Sequence, residues 1–430
     1  MSKETKKSWW NIFGKIFRGR KEEVPEGMDY CDVCIPGDQM IIGYKCYETR
    51  DFTDSRILSS GYLVTVLKKF KRIASDFLEL RGKGMLPLKV TPEHYVKVVT
   101  LIDKEKRAFT QPYWKQAKAL EVRKDYLAFP KLHLFREYTY SKDKAKFLGI
   151  YLAEGCLGRS KRKNCQSRYG RICLTFGKHE MPLAREIKEL CTKEFNRSCN
   201  LKETKTSLLL SFHNSRLAKE LEESIGRKAW NKQIPYKIFY GEKEKVRSFL
   251  QYYFKGDGHL DKRGRTSFKT SSKKLALQLQ KLLSKLNIWS TISEIKREGL
   301  ASIQNRLCYI HNAYDISFSP YYYENLFGVK KNGQGGQVLE RPKYFFVPLV
   351  EKRILRKQPS EVFNFATRNS AYEVNNLLVH NCGRIVPKED LHHVIAYFGS
   401  REELTLCEDC SELPPSTWRN RFGYNRKSRE

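Results

Sequence analysis

Phe147-Leu148-Gly149-Ile150-Tyr151-Leu152-Ala153-Glu154-Gly155 and Leu250-Gln251-Tyr252-Tyr253-Phe254-Lys255-Gly256-Asp257-Gly258 share one design. Each reads as a mostly apolar helix that closes on a small residue, an acid and a glycine. An acid at a helix C-terminus opposes the macrodipole, so something else must hold it there. A divalent cation would, because hard cations take carboxylate oxygens. Gly149 and Ala153 lie four apart on one face, which lets two such helices pack side by side and bring Glu154 to Asp257. Either segment alone reads as a buried helix with a glycine C-cap. Two of them in one strongly basic stretch favour a functional site.

That stretch, 141–336, holds 39 basic and 18 acidic residues, a net +21 of the whole chain's +33. Such an excess points to a polyanion, DNA first, and places its contact surface in the middle of the chain. A length of 430 residues implies two or three domains, and 40% apolar residues exclude wholesale disorder. No run of 18 apolar residues occurs, so no transmembrane helix is expected. Near the N-terminus, Trp9, Ile12, Phe13, Ile16 and Phe17 fall at helical spacing and predict a short amphipathic helix. Asn11, Gly14 and Lys15 interrupt that patch, which makes it a poor signal peptide. The 12 cysteines are accordingly expected reduced, in a cytoplasmic protein.

Outward from the two helices the pattern changes. Between them run further helices (Leu183–Phe195, Arg216–Ser224, Lys273–Leu286) and strands (Arg171–Phe176, Ser207–Phe212). Before residue 135 the chain is a series of short β-like runs, Met40–Tyr44, Tyr62–Leu67 and Tyr95–Leu101. After the glycines at 333–336, Tyr344–Val350, Val362–Thr367 and Ala371–Val379 are β-like again. The order predicts one all-β domain split by an inserted α+β domain.

On the paired helices, the middle of the chain resembles the LAGLIDADG homing endonucleases in their single-chain, two-repeat form. The resemblance implies that Glu154 and Asp257 bind Mg²⁺ at the repeat interface, where both strands of a long double-stranded DNA site are cut. It implies a monomer with an internal pseudo-two-fold axis. The block Lys232-Gln233-Ile234-Pro235 matches the family's Lys-x-x-Pro, whose lysine stabilises charge on the phosphate. Lys330 and Lys331 are the candidates for the second repeat's lysine. Tyr252 stands where the family has a small residue, with Gln251 beside it.

The flanks carry a different chemistry. In His380-Asn381-Cys382 the asparagine amide can attack its own carbonyl and cleave the chain. His380 can supply a proton and Cys382 a thiol. Cys34 can attack the carbonyl before it, and Thr91-Pro92-Glu93-His94 offers a histidine to polarise that bond. In order and spacing these residues resemble the intein family, with Trp114, Ala117 and Leu120 ahead of Asp125-Tyr126-Leu127, and with Val362-Phe363-Asn364-Phe365 through Asn376. The resemblance implies a Hint-type splicing fold in two halves, 34–135 and 340–381, around the endonuclease at 141–336. Residues 1–33 and 382–430 would be the flanking host segments. It also implies four steps without a cofactor. Cys34 takes the acyl group from Val33, aided by Thr91 and His94; Cys382 takes it over; Asn381 cyclises with His380 as proton donor; an S–N shift completes the ligation. Ser370 and Asn364 stand where the family often has His and Asp.

Joining 1–33 to 382–430 gives 82 residues in which Cys31 and Cys382 form one Cys-x-x-Cys and Cys407 and Cys410 another, the spacing of a tetrahedral structural Zn²⁺ site of the zinc-ribbon kind. His392 and His393 add a resemblance to HNH nucleases of ββα fold, though Ser411 replaces that pattern's last histidine. Two further readings fit parts of the chain: a LAGLIDADG endonuclease without splicing, and a zinc-binding, HNH-like nucleic-acid-binding protein with an inert insertion.

Overall fold

The computed structural model of the protein describes residues 33–133, 140–159, 169–303, 306–335 and 337–381. The helix expected at Trp9–Phe17, and Cys31, Cys382, His392, His393, Cys407 and Cys410, lie outside these residues. Before residue 134 the main strands are β1 (Ile35–Pro36), β2 (Tyr62–Gly82), β3 (Tyr95–Asp103) and β4 (Asp125–Pro130).

The middle of the chain follows with two units of one design. The first is α1 (Lys142–Glu154), β5 (Gly155–Arg159), β6 (Tyr169–Gly177), α2 (Met181–Phe195), β7 (Asn200–Glu203), β8 (Ser207–His213) and α3 (Ser215–Ser224). The second is α4 (Lys243–Asp257), β9 (Gly258–Leu260), β10 (Thr266–Thr270), α5 (Lys273–Ser284), β11 (Thr291–Ile295), β12 (Ala313–Phe318) and α6 (Tyr323–Phe327). Their sheets run β5-β6-β8-β7 and β9-β10-β12-β11, so the topology repeats. An extra hairpin, Gly299–Ile303 with Arg306–Ile310, is inserted before β12. Side-chain oxygens of Ser141, Asn214 and Ser272 cap α1, α3 and α5 by accepting backbone N–H bonds.

After residue 337 come β13 (Tyr344–Thr367), β14 (Ala371–Val374) and β15 (Leu377–His380). These join the strands from the start of the chain in one sheet, ordered β14-β15-β3-β4-β13-β2 with Arg56–Ser59 outermost, and β1 pairs β13. Chain ends almost 300 residues apart in sequence therefore share one ladder. β2 and β13 are far longer than the sequence suggested, because Tyr344–Val350 and Val362–Thr367 are parts of one strand. The pair runs antiparallel from Gly82↔Leu349 to Val66↔Thr367 and changes register three times. Their charged centres, Lys68 to Arg72 and Glu351 to Arg353, look like loop in sequence yet continue the ladder, since an outlying ribbon needs little burial on either face.

The inserted unit is not an appendage. One hydrophobic cluster includes Leu78, Val96 and Phe345 of the split sheet together with Leu279 and Leu283 of α5. From Leu275 to Ser284 every residue of α5 is buried, its polar ones included. Those polar side chains are consumed at the junction. Gln280 Nε2 donates to the Gly84 carbonyl at 3.2 Å, and Asn376 Nδ2 donates to the Leu277 carbonyl at 3.0 Å. Lys281 is fully buried and pairs with Glu373, itself 2% exposed, while also donating to the Pro130 carbonyl. Glu373 also accepts from the Gly61 amide at 2.8 Å.

Removing one member of a buried pair strands the other charge, which costs about 3–5 kcal/mol. Lys281→Met should therefore lower unfolding stability by about that amount in a denaturant titration, and adding Glu373→Leu should recover most of it. A single variant as stable as the parent would mean that this pair does not join the two units. Among the described residues no helix is long and apolar enough to cross a membrane.

Candidate active sites

The two acid-tipped helices pack directly on each other. At Gly149 of α1 any Cβ would sit 2.3 Å from the Phe249 carbonyl oxygen of α4, so only glycine allows this approach. Tyr252 occupies the matching place on α4 yet does not hold the helices apart. Its ring is buried, its hydroxyl bonds Glu186 of α2, and Lys255 pairs with the same carboxylate at 2.9 Å.

The closing glycines are not left-handed caps. Gly155 and Gly258 have φ of −87° and −83°, and each helix runs straight into a strand. A Cβ at either would strike the side chain four residues earlier, Tyr151 or Phe254, at 2.2 and 2.1 Å.

This junction sets Glu154 and Asp257 side by side. A Cβ built on Gly256 would lie 3.3 Å from Glu154 Oε1. Burial first, then the Asp257 and Glu180 charges, push the Glu154 carboxyl up to about 7. Burial also raises Asp257. Lys232 is the answer to the unfavourable helix end. Its Nζ donates to the carbonyls of Leu152 at 2.7 Å and Gly155 at 3.3 Å, placing a cation at the C-terminus of α1. Burial lowers the Lys232 ammonium, and the two acids and Cys156 oppose that.

The Lys-x-x-Pro block is fixed from α5: the Ser272 hydroxyl donates to the Lys232 carbonyl and Gln278 Oε1 accepts from the Ile234 amide. Lys331 instead lies over the Tyr323 ring at 4.1 Å, against α6. Cys156, two residues beyond Glu154, was not legible as a neighbour of the site. The β5–β6 register opposes it to Cys173, and a bond from that thiol together with Lys232 lowers it to about 6.

A partly buried Glu154 raised by the neighbouring Asp257 charge suits a hard divalent cation, which would neutralise both carboxylates and take its remaining oxygens from water or phosphate. No group of three or more His, Cys, Asp or Glu forms a cation site among the described residues, so protein donors alone would not enclose the ion. Because the folded protein holds the Glu154 proton more tightly than the unfolded chain, stability is fullest below the ordinary carboxylate range and is lost as pH rises toward about 7. Glu154→Gln with Asp257→Asn should thus raise the metal-free melting temperature at pH 8, and Mg²⁺ should raise it for the parent only. An equal response of both proteins to Mg²⁺ would place the ion elsewhere.

The second group of residues lies at one end of the split sheet. Pairing of Ile35 with Phe363 buries Cys34 completely. Its amide, the nitrogen of the Val33–Cys34 bond, donates to Thr91 Oγ1 at 3.0 Å, and the Thr91 amide returns a bond to the Cys34 carbonyl at 3.0 Å. His94 Nδ1 lies 3.3 Å from that carbonyl, and Arg72 Nε donates to Cys34 Sγ at 3.3 Å.

β15 brings in the other end of the chain. Val379 pairs with Val96 of β3, so His380 falls beside Tyr95, their rings 6.4 Å apart, and Asn381 follows toward His94. The Trp114 ring meets His380 edge-on at 4.9 Å. His380 Nδ1 is 2.5 Å from the Asn381 carbonyl oxygen. In this geometry it faces the carbonyl oxygen of Asn381 and not the nitrogen that follows. Asn381 is anchored by its amide to the Ser370 carbonyl at 2.9 Å and by Nδ2 to Thr367 Oγ1 at 3.3 Å. Thr367 gave no signal in sequence. Ser370 acts through its backbone, and Asn364 Oδ1 accepts from the Tyr372 hydroxyl and the Phe365 amide, both at 2.8 Å.

Residues 244–314, most of the second unit, match the family profile described as a LAGLIDADG-like domain, so the chain carries a LAGLIDADG-like α+β domain. Among curated proteins, the chain is 24% identical over 302 residues to an iron-sulfur cluster assembly SufBD family protein of Mycobacterium tuberculosis, covering 68% of this chain and 33% of that one. It is 24% identical over 399 residues to the ATP-dependent DNA helicase Hel308 of Thermococcus kodakarensis, covering 77% and 34%. With the replication factor C small subunit of Methanocaldococcus jannaschii it shares 27% over 230 residues, covering 52% and 11%. The chain thus matches about a third or less of the length of these relatives. Among solved structures, the homing endonuclease I-DmoI in complex with DNA and Mn is 17% identical at a TM-score of 0.33, covering 44% of this chain and 99% of that one. Full-length DUF199/WhiA from Thermatoga maritima is 14% identical at a TM-score of 0.25, covering 41% and 50%.

Proposed function

We propose that residues 34–381 are an intein with a nested homing endonuclease, which excises itself and joins Val33 to Cys382. The observation that carries this reading is the β3–β15 pairing, which sets the Cys34 amide, Thr91 and His94 at the same sheet end as His380 and Asn381. Cys34 Sγ would attack the Val33 carbonyl carbon and the Cys34 nitrogen, held by Thr91, would leave as the amine. The Cys382 thiol would then accept the acyl group. Asn381 Nδ2 would attack its own carbonyl carbon while protonated His380 Nδ1 bonds the developing oxyanion, and the Cys382 nitrogen would depart. An S–N shift would leave an ordinary peptide bond.

The relatives lend support from another side. An iron-sulfur assembly protein, a helicase and a replication factor have nothing named in common, yet each matches this chain over only part of its length. A segment that removes itself can reside in unrelated hosts.

For the inserted unit the proposed activity is Mg²⁺-dependent cleavage of both strands of a long DNA site, by a monomer whose two units are related by a pseudo-two-fold axis. Glu154 and Asp257 would hold the ion, which supplies charge stabilisation and an activated water when bound. Lys232 would sit beside the phosphate. The +21 charge of this segment supplies the attraction for DNA. In the ligated host segments Cys31, Cys382, Cys407 and Cys410 would bind structural Zn²⁺. Intact-mass measurement of the expressed chain tests the splicing reading: it should yield products of 348 and 82 residues. A single uncut chain of 430 residues, stable under reductant, would favour an endonuclease whose β flanks do not splice.

A further inference from the structure

We propose that Arg72 is a catalytic residue of the first splicing step, stabilising the Cys34 thiolate that attacks Val33. This rests on the splicing reading above and adds a residue that no sequence motif singles out.

The geometry is specific. Arg72 lies on β2 opposite Val362 of β13, and Val362 in turn pairs with Pro36 of β1. Its side chain reaches back across β13, and Nε donates to Cys34 Sγ at 3.3 Å. Cys34 itself is 0% exposed and packs with Val33, Phe77 and Val362. Partly buried Ala74 and Leu355 border the same cluster.

An apolar site of this kind disfavours a thiolate, and the thiolate is the nucleophile. A cation in contact with sulfur reverses that preference. The guanidinium suits the task because it stays charged at any working pH and donates in a fixed plane. The reaction consumes nothing: Sγ–C forms, the Val33 C–N bond breaks, and the thiol proton ends on the departing amine. Arg72 keeps its charge throughout.

Other polar groups around Cys34 do not duplicate this. Thr91 and His94, from the turn before β3, engage its backbone amide and carbonyl. Lys71 of β2 and Glu361 of β13 pair with each other and are 43% and 56% exposed, on the alternate face of their strands. The alkaline limb of a rate profile reports thiol ionisation, the property on which Arg72 would act.

The test uses the full chain carrying Asn381→Ala and Cys382→Ala, so that only the first step remains. Release of residues 1–33 by dithiothreitol, measured against pH, reports the thioester. Arg72→Gln keeps a donor without charge. It should move the alkaline midpoint up by about one unit and slow release near pH 7 about tenfold, since each unit below its pKa costs a thiol about tenfold in thiolate. Arg72→Lys should bring the midpoint back toward that of the parent. Should melting temperature and proteolytic pattern show that Arg72→Gln fails to fold, Arg72→Met, which keeps the apolar stem without the charge, takes its place and should show the same upward shift. An unmoved midpoint in the uncharged variant, whatever its rate, would reduce Arg72 to a packing role and overturn the proposal. No release from the parent at any pH would instead defeat the splicing reading, and the role of Arg72 with it.

Discussion

Asn381→Ala is expected to abolish both release at residue 381 and formation of the 82-residue ligated product, with no residual rate. The reason is chemical. Only a side-chain amide one carbon from Cβ can close a five-membered ring on its own carbonyl, and alanine has no nucleophile at all. The geometry around Asn381 concentrates the reaction on that residue. Its Nδ2 is bonded to Thr367, its amide to Ser370, and His380 meets the oxygen of the carbonyl whose carbon would be attacked. The first step should survive, because Cys34, Thr91 and His94 are untouched, so dithiothreitol should still release residues 1–33. Cys34→Ala should show the converse pattern, with no release at Val33 and some cleavage after Asn381. Electrophoresis of the two variants with and without reductant checks both outcomes. Ligated product from either variant would mean that the junctions have been misplaced.

Glu154→Gln together with Asp257→Asn should remove DNA cutting while leaving DNA bound. A divalent cation supplies several kcal/mol of charge stabilisation to phosphoryl chemistry, so its loss is on the order of a thousandfold or more in rate. The substrate to use is a plasmid in which the codons for residues 1–33 and 382–430 are fused, the sequence that the insertion interrupts. Binding should persist with steep salt dependence, because it draws on a surface charge that these changes do not reduce. Splicing should continue, since neither substitution leaves a void in the shared core. Lys281→Met differs in that respect: it strands Glu373 on β14, the partner strand of the one that ends at His380. Retained Mg²⁺-dependent cutting by the carboxamide pair would remove these two acids from the site.

The sequence made the two acid-tipped helices legible because apolar periodicity, a closing acid and a glycine are all local. Lys232 was legible as part of a block, but its bonds to the end of α1 were not, since they depend on how two units pack. The bond from Tyr252 to Glu186 was hidden for the same reason. α5 reads as amphipathic, with a polar side meant for solvent. The fold buries that side, satisfying Gln280 and Lys281 against the split sheet and Gln278 on the backbone of Ile234. No one-dimensional pattern distinguishes a polar face turned to water from one turned to another domain. Likewise β2 and β13 were recognised only where they are apolar, because propensity fades along their charged centres while the ladder of backbone hydrogen bonds does not. Thr367 and Arg72, which touch Asn381 and Cys34, belong to no local pattern, and Arg72 meets Cys34 only because β1 and β2 both pair with β13 from the other flank.

The chain is expected to cut itself before Cys34 and after Asn381 and to rejoin. The measurement that bears on it most directly is tandem mass spectrometry of a digest of the freshly expressed protein. A peptide in which Cys31-Asp32-Val33 continues into Cys382-Gly383 should be present, alongside a peptide ending at Asn381 that is one water lighter than its free-acid form, as a succinimide requires. Peptides that only ever read Val33 into Cys34 and Asn381 into Cys382, in protein held under reductant, would contradict it.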